Sequence, residues 1–187
     1  MTPGPIGPED DAEAITPENV GMDEDAASTD PRRLGPGLLP TPFTAAEIRA
    51  ASGTGKTIRL LVEEPAGTSF ERINRFVDCD AEGATLEQWR VAADGSIDGE
   101  LDRGRVSWRE LQEHAAFPEA TTTVREETLE LPFGPADCRR YEVRRDADSP
   151  ATVFWFALAL PGMPARYELP VPGGVLRTTI LEVRAEA

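Results

Sequence analysis

Metal-binding and thiol chemistry have almost nothing to work with in this chain. Its 187 residues include one histidine, His114, and two cysteines, Cys79 and Cys138. A tetrahedral zinc site needs four ligands at close spacing, and a disulfide framework needs several pairs, so both are excluded. The two cysteines read first as small apolar residues on strands, with a single disulfide between them, or a ligating or catalytic role, as the alternatives. No run approaches the roughly 18 apolar residues of a membrane-spanning helix. Positive charge is scarce too, with 19 Lys and Arg against 34 Asp and Glu and a net charge of −15. A nucleic-acid backbone or an anionic membrane would be repelled unless basic residues were locally concentrated. The densest basic group, Arg139, Arg140, Arg144 and Arg145, is interrupted by Glu142 and Asp146 and reads as a solvated strand face. Neither nucleic acid nor a membrane is therefore expected as a partner.

The charge is unevenly accompanied along the chain. Residues 1–40 hold nine acidic and two basic residues with seven prolines. Such a segment buries too little apolar surface to offset its ordering entropy, so 1–40 reads as a disordered acidic tail and 41–187 as one folded domain, with order beginning near Phe43. The N-terminus opens on proline, glycine and acids, without the basic and apolar regions of a secretory signal. That composition points to a cytoplasmic protein, or to one whose signal has been removed.

Within the domain the periodicity is mostly two-residue. Thr44 and Glu47 have capping-box spacing and open a short helix over 45–51, ended by Ser52, Gly53 and Gly55. From Thr57, Ile58, Leu60 and Val62 alternate against Arg59 and Glu63, the pattern of a half-buried strand. Strands follow over 70–79 and 85–91, with Asp94-Gly95 as a hairpin turn into the next. Ser107 and Glu110 cap a second helix over 107–116, with Trp108 and Leu111 on one face, and Pro118 stops it. Further strands are expected at 121–131, 137–145, 152–158, 165–171 and 176–183, separated by turns such as Pro161-Gly162 and Pro172-Gly173-Gly174. Connections this short force antiparallel pairing. The fold class is mainly β (α+β): a curved antiparallel meander of about eight strands with two short helices.

Ala50-Ala51-Ser52-Gly53-Thr54-Gly55-Lys56-Thr57 ends like a nucleotide-binding phosphate loop. That loop needs a strand before it and a helix after it, so that amides and the helix N-terminus face the phosphates. Here a helix precedes and a strand follows, and alanine stands at the first glycine position. The segment reads as a helix-to-strand connection, and no cofactor is expected. Carboxylate pairs such as Asp78 with Asp80 or Glu126 with Glu127 arise by chance in so acidic a chain, and no signature supports a dyad of His114 with Cys79 or Cys138. The chain reads as a binding protein more than an enzyme.

Val153-Phe154-Trp155-Phe156-Ala157-Leu158 is apolar on both faces, so both must be covered by helices, by the rest of a curled sheet or by a ligand. Large aromatic side chains supply most of the area of a concave apolar site. The candidate lining is therefore Trp89, Trp108, Phe154, Trp155, Phe156 and Tyr167, with a packed core built from the same residues as the alternative. The succession Asp137 to Val143, Phe154-Trp155-Phe156, Leu160-Pro161-Gly162-Met163-Pro164-Ala165-Arg166-Tyr167-Glu168 and Thr178 to Leu181 resembles the C-terminal strands of lipoprotein-carrier-like (LolA/LppX-type) proteins. It is also similar to a group of bacterial proteins that share the strand order without an assigned activity. The carrier resemblance implies a curved sheet whose concave face, closed by short helices, holds an acyl chain. The expected function is binding of a small apolar or acyl ligand. The alternative is a protein–protein interaction module that uses the acidic tail or a sheet edge. The sequence gives no oligomeric state.

Overall fold

The computed structural model describes residues 30–185. They form a nine-stranded, wholly antiparallel sheet: β1 (Thr57–Glu63), β2 (Ser69–Val77), β3 (Gly83–Val91), β4 (Ile97–Ser107), β5 (Thr122–Leu131), β6 (Gly134–Val143), β7 (Thr152–Ala157), β8 (Arg166–Val171) and β9 (Gly174–Arg184). The mainly β class and the antiparallel pairing follow the sequence reading, with one strand more than expected. The order across the sheet is β4-β3-β2-β1-β9-β8-β7-β6-β5. It comprises two meanders, β1 to β4 and β5 to β9, joined at the centre by the β1–β9 pair. The two meanders are separate because β4 and β5 lie at opposite edges and the chain crosses the sheet between them.

That crossing runs through α2 (Trp108–Glu113) and the 3-10 turn Glu119–Thr121, and it lays its apolar residues on one face. α1 (Ala45–Ala50) joins it there. Both helices carry complete capping boxes, Thr44 with Glu47 and Ser107 with Glu110, as their spacing predicts. Each is only six residues long, too short to persist alone, so docking on the sheet holds them. The turn between β3 and β4 is equally legible. Asp94-Gly95 makes the β3–β4 hairpin, where Ala92 N–H bonds the Ser96 carbonyl at 2.9 Å. At the start of β3, Gly83 lies so close to β4 that a Cβ would stand 2.2 Å from the Val106 carbonyl oxygen, which only glycine tolerates.

Residues 30–40 belong to the packed structure, which moves the expected start of order upstream from Phe43. The Leu39 amide bonds the Phe117 carbonyl at 2.9 Å, and the Tyr141 hydroxyl reaches the Pro40 carbonyl at 3.3 Å. Buried Gln112 of α2 clamps the segment, donating to the Pro31 carbonyl (2.9 Å) and Thr41 Oγ1 (3.0 Å) while accepting from the Ala45 amide (2.9 Å). Arg32 adds an ion pair to Glu47 at 2.5 Å. Polar clamping therefore supplies what the apolar content of this stretch lacks. The rest of the expected tail, 1–29, lies outside the described residues.

Candidate functional site

The helix-covered face of the sheet is packed in one part and hollow in another. On the packed side Tyr141 of β6, 1% exposed, meets Phe117 from the crossing segment (ring centroids 5.3 Å) and Phe156 of β7 (5.6 Å, edge-on). Phe117 also stacks on Phe154 at 5.0 Å, and Phe43, just before α1, touches Phe156 at 6.3 Å. Beside this cluster lies a cavity of about 300 Å³. Its walls come from Ile58 of β1, Phe76 of β2 and Leu86 of β3 on one side, and from Phe154, Phe156 and Tyr167 of β7 and β8 on the other. Ile48 of α1, Leu111 of α2 and Ala115 just after it close it from the helix side.

The geometry requires curvature. β3 and β7 are five inter-strand steps apart, about 24 Å in a flat sheet at the usual strand spacing, yet both line one small cavity. The β7–β8 connection completes the enclosure: Gly162, Met163 and Pro164 line it, and Met163 Sδ lies 3.7 Å from the Asn74 amide nitrogen on β2. That contact joins the β7–β8 connection to β2 across the cavity.

Of the six aromatic residues expected to line a site, the structure brings three together there: Phe154, Phe156 and Tyr167. Phe154 and Tyr167 are cross-strand partners, and Phe156 follows on the same face. The other three are placed elsewhere. Trp108 is buried in packing against Phe76, with ring centroids at 6.4 Å, and its indole N–H bonds the Asp80 carbonyl at 3.0 Å. Trp155 points to the opposite face, as strand alternation demands, where its indole N–H reaches Glu127 (3.2 Å) and the Arg140 guanidinium lies 5.2 Å from its ring centroid. Trp89 also lies off the cavity face, in a shallow groove with Arg59, Ile73 and Glu182. The two-sided apolar strand is therefore covered by aromatic packing on one side and by charged side chains over Trp155 on the other.

Sequence reasoning did not single out the polar residues of the cavity as a group. Lys56, Asn74, Gln88 and His114 all line it, and among the described residues its lining holds no carboxylate. Lys56 is 9% exposed. Its ammonium donates to the Ala51 carbonyl at 2.8 Å, reaches Ser52 Oγ only at 3.4 Å, and sits 5.5 Å from the Phe76 ring centroid. Burial pushes its pKa below the usual lysine value. The segment 50–57 has the inverted order expected of it, with α1 before and β1 after. Both cysteines are free thiols, Cys138 buried on β6 and Cys79 half-buried beyond β2. Burial raises the Cys138 pKa and keeps it a thiol. Among the described residues no cluster of three or more His, Cys, Asp or Glu side chains is placed to hold a metal, and no helix is long and apolar enough to cross a membrane.

No family model and no curated relative matches the chain. Several solved structures are similar to it, two of which follow. One, from Bacteroides fragilis, is described as exported and with a YmcC-like fold; it is 10% identical with a TM-score of 0.40, over 72% of this chain and 97% of the other. The second, from Parabacteroides distasonis, is described as a lipoprotein; it is 9% identical with a TM-score of 0.39, over 71% of this chain and 96% of the other. The first is described by a YmcC-like fold, and neither is described as a lipoprotein carrier. The expectation of a cytoplasmic location is corrected by these neighbours, which are described as exported and as a lipoprotein, and is not carried further. It rested on the composition of the first residues, which is no measure of compartment.

Proposed function

We propose that the domain binds a small apolar ligand in the cavity between β1–β3 and β7–β8. The observation that carries this reading is the cavity itself: about 300 Å³, walled by Ile58, Phe76, Leu86, Phe154 and Phe156, and roofed by Met163. Ligand sites are concave, mostly apolar and begin at about this size, with a few polar groups to orient the guest. The resemblance of the C-terminal strands to lipoprotein-carrier-like proteins supports an acyl chain as that guest. Native mass spectrometry of protein purified from its host, followed by a thermal-shift panel of fatty acids and other small apolar molecules, tests the reading. A ligand at a hundred times its dissociation constant stabilises the fold by about 2.7 kcal/mol. If nothing co-purifies and nothing shifts the midpoint, the reading fails.

The second reading, an interaction module, has one observation in its favour: β4 and β5 are both sheet edges. β4 is exposed over most of its length but carries Asp98, Glu100, Asp102, Arg103 and Arg105, charges that oppose the docking of another strand. The cavity reading is therefore preferred.

A further inference from the structure

Resting on the apolar-ligand reading, we infer that the ligand is an anionic amphiphile, a carboxylate on an apolar tail, whose head is held by Lys56 with the help of Asn74. The chain carries a net charge of −15, yet among the described residues the cavity is lined by Lys56 and His114 and by no Asp or Glu. A solvated surface drawn from such a composition would include carboxylates, whereas the one lysine of this lining bonds the Ala51 carbonyl at the end of α1 and lies beside the Phe76 ring. No carboxylate among the described residues stands within ion-pair distance of Lys56, although 34 are available in the chain. An ammonium has three donors, and Lys56 spends only one on a full hydrogen bond, to the Ala51 carbonyl at 2.8 Å. Burial lowers the Lys56 pKa, opposed in part by Cys79 nearby.

Asn74 is the second group short of a partner. Its side-chain oxygen is buried without a hydrogen bond, and its nitrogen touches only the Met163 thioether at 3.7 Å. The two residues are close by construction. The Phe76 amide bonds the Lys56 carbonyl at 2.8 Å, and Asn74 precedes Phe76 by two positions on the same strand face, so the two are diagonal neighbours across β1 and β2. A carboxylate accepts from the ammonium and from the amide N–H of a rotated Asn74, a charge-assisted pair stronger than a neutral one. Phe76 and Ile58 beside them, with Phe154 and Phe156 opposite, take the tail.

The test uses the full chain and three probes of equal tail length below their micellar concentrations: decanoate, 1-decanol and decyltrimethylammonium, titrated by calorimetry at neutral pH. Decanoate is expected to bind about tenfold more tightly than 1-decanol, and decyltrimethylammonium most weakly. In Lys56→Gln, whose amide can still donate to the Ala51 carbonyl, the decanoate preference is expected to vanish while the affinity for 1-decanol stays within about threefold. Circular dichroism checks that the variant folds, and the wild-type head-group series decides the question without it. Equal or tighter binding of 1-decanol by the wild type, or a decanoate preference that survives Lys56→Gln, overturns the anchor while leaving the apolar-ligand reading intact. If none of the three probes binds, both fall.

Discussion

The two sides of one sheet face use the same kind of residue for opposite ends. Around Tyr141 the aromatic rings of Phe43, Phe117, Phe154 and Phe156 interlock at centroid distances of 5.0 to 6.4 Å. Around Leu86, Phe76 and Ile58, equally apolar side chains border open space. Phe154 and Phe156 belong to both, packed on one flank and lining the cavity on the other. What separates the sides is the path of the covering chain: the crossing segment drops Phe117 onto β6 and β7, while Trp108 of α2 is taken up against Phe76, and only Leu111 of α2 with His114 and Ala115 just after it is left to border the cavity. Hydrophobic content therefore does not distinguish a core from a site. The amount of covering side chain does.

The sharpest way to break this comparison is to remove the covering ring. Phe117→Ala leaves a void among Tyr141, Phe154 and Phe156 and is expected to cost about 3–5 kcal/mol in urea unfolding. A loss below about 1 kcal/mol would mean that the cluster is as loosely filled as the cavity.

Next in size is the effect of the strap. Removing residues 1–29 is expected to leave the unfolding midpoint unchanged. Removing 1–40 also deletes the hydrogen bonds of Leu39, Pro31 and Pro40 and the Arg32–Glu47 ion pair, and leaves the Gln112 amide nitrogen with Thr41 alone. At about 1 kcal/mol per hydrogen bond, that longer truncation is expected to cost about 2–4 kcal/mol. Equal stability of the two truncations would return the start of the domain to Phe43.

A paired enlargement on β3 then compares the two environments directly. Ala84 and Leu86 share one face of one strand; Ala84 is fully buried, and Leu86 borders the cavity. Ala84→Leu is expected to cost about 1–3 kcal/mol as overpacking, whereas Leu86→Phe costs under about 1 kcal/mol and weakens apolar-ligand binding. Equal costs would show that the cavity wall is as tightly packed as its neighbour.

The fold was largely legible because its signals are local. Capping boxes at Thr44 and Ser107, the Asp94-Gly95 turn and the alternation of Ile58, Leu60 and Val62 each operate within a few residues. β4 is the exception: Ile97, Leu101 and Val106 are too widely spaced among glycines and charges to alternate, because an exposed edge strand buries neither face. The central β1–β9 pair is the other, since nothing local to either strand names its partner. The site was half legible. Period-two alternation alone places Trp155 opposite Phe154 and Phe156, so its exclusion could have been read from the strand. Trp89 and Trp108 could not have been assigned without the register of β2 and β3 and the docking angle of α2. Lys56 was noticed for the wrong reason, as the lysine of a phosphate-loop look-alike, and its place in the cavity depends on curvature that no short window records.

The smallest effect concerns the hairpin that leads into β3, on the cavity side of the comparison, and it is read as a pH dependence. The Asp80 carboxylate accepts from the Glu82 and Gly83 amides at 2.9 and 3.0 Å and pairs with Arg105 at 2.5 Å. The amide hydrogen bonds, then the Arg105 bond, lower its pKa to about 2. In the unfolded chain an aspartate titrates near about 3.9. A folded pKa below the unfolded one means that the carboxylate contributes stability above about pH 4, and that this contribution is lost as the pH falls through about 2. Asp80→Asn keeps an oxygen that can accept the two amides, so the turn and the neighbouring Trp108 contact to the Asp80 carbonyl are retained, while the charge and its titration are removed. The wild type is therefore expected to exceed the variant in unfolding midpoint near neutral pH and to converge on it towards pH 2. Glu47 and Glu110, which also have lowered pKa values from their caps, titrate alike in both proteins and cancel from the difference. A gap that stays constant from pH 6 to pH 2 would show that the Asp80 contribution comes from shape rather than charge, and that the hairpin is held by its packing against Trp108 alone.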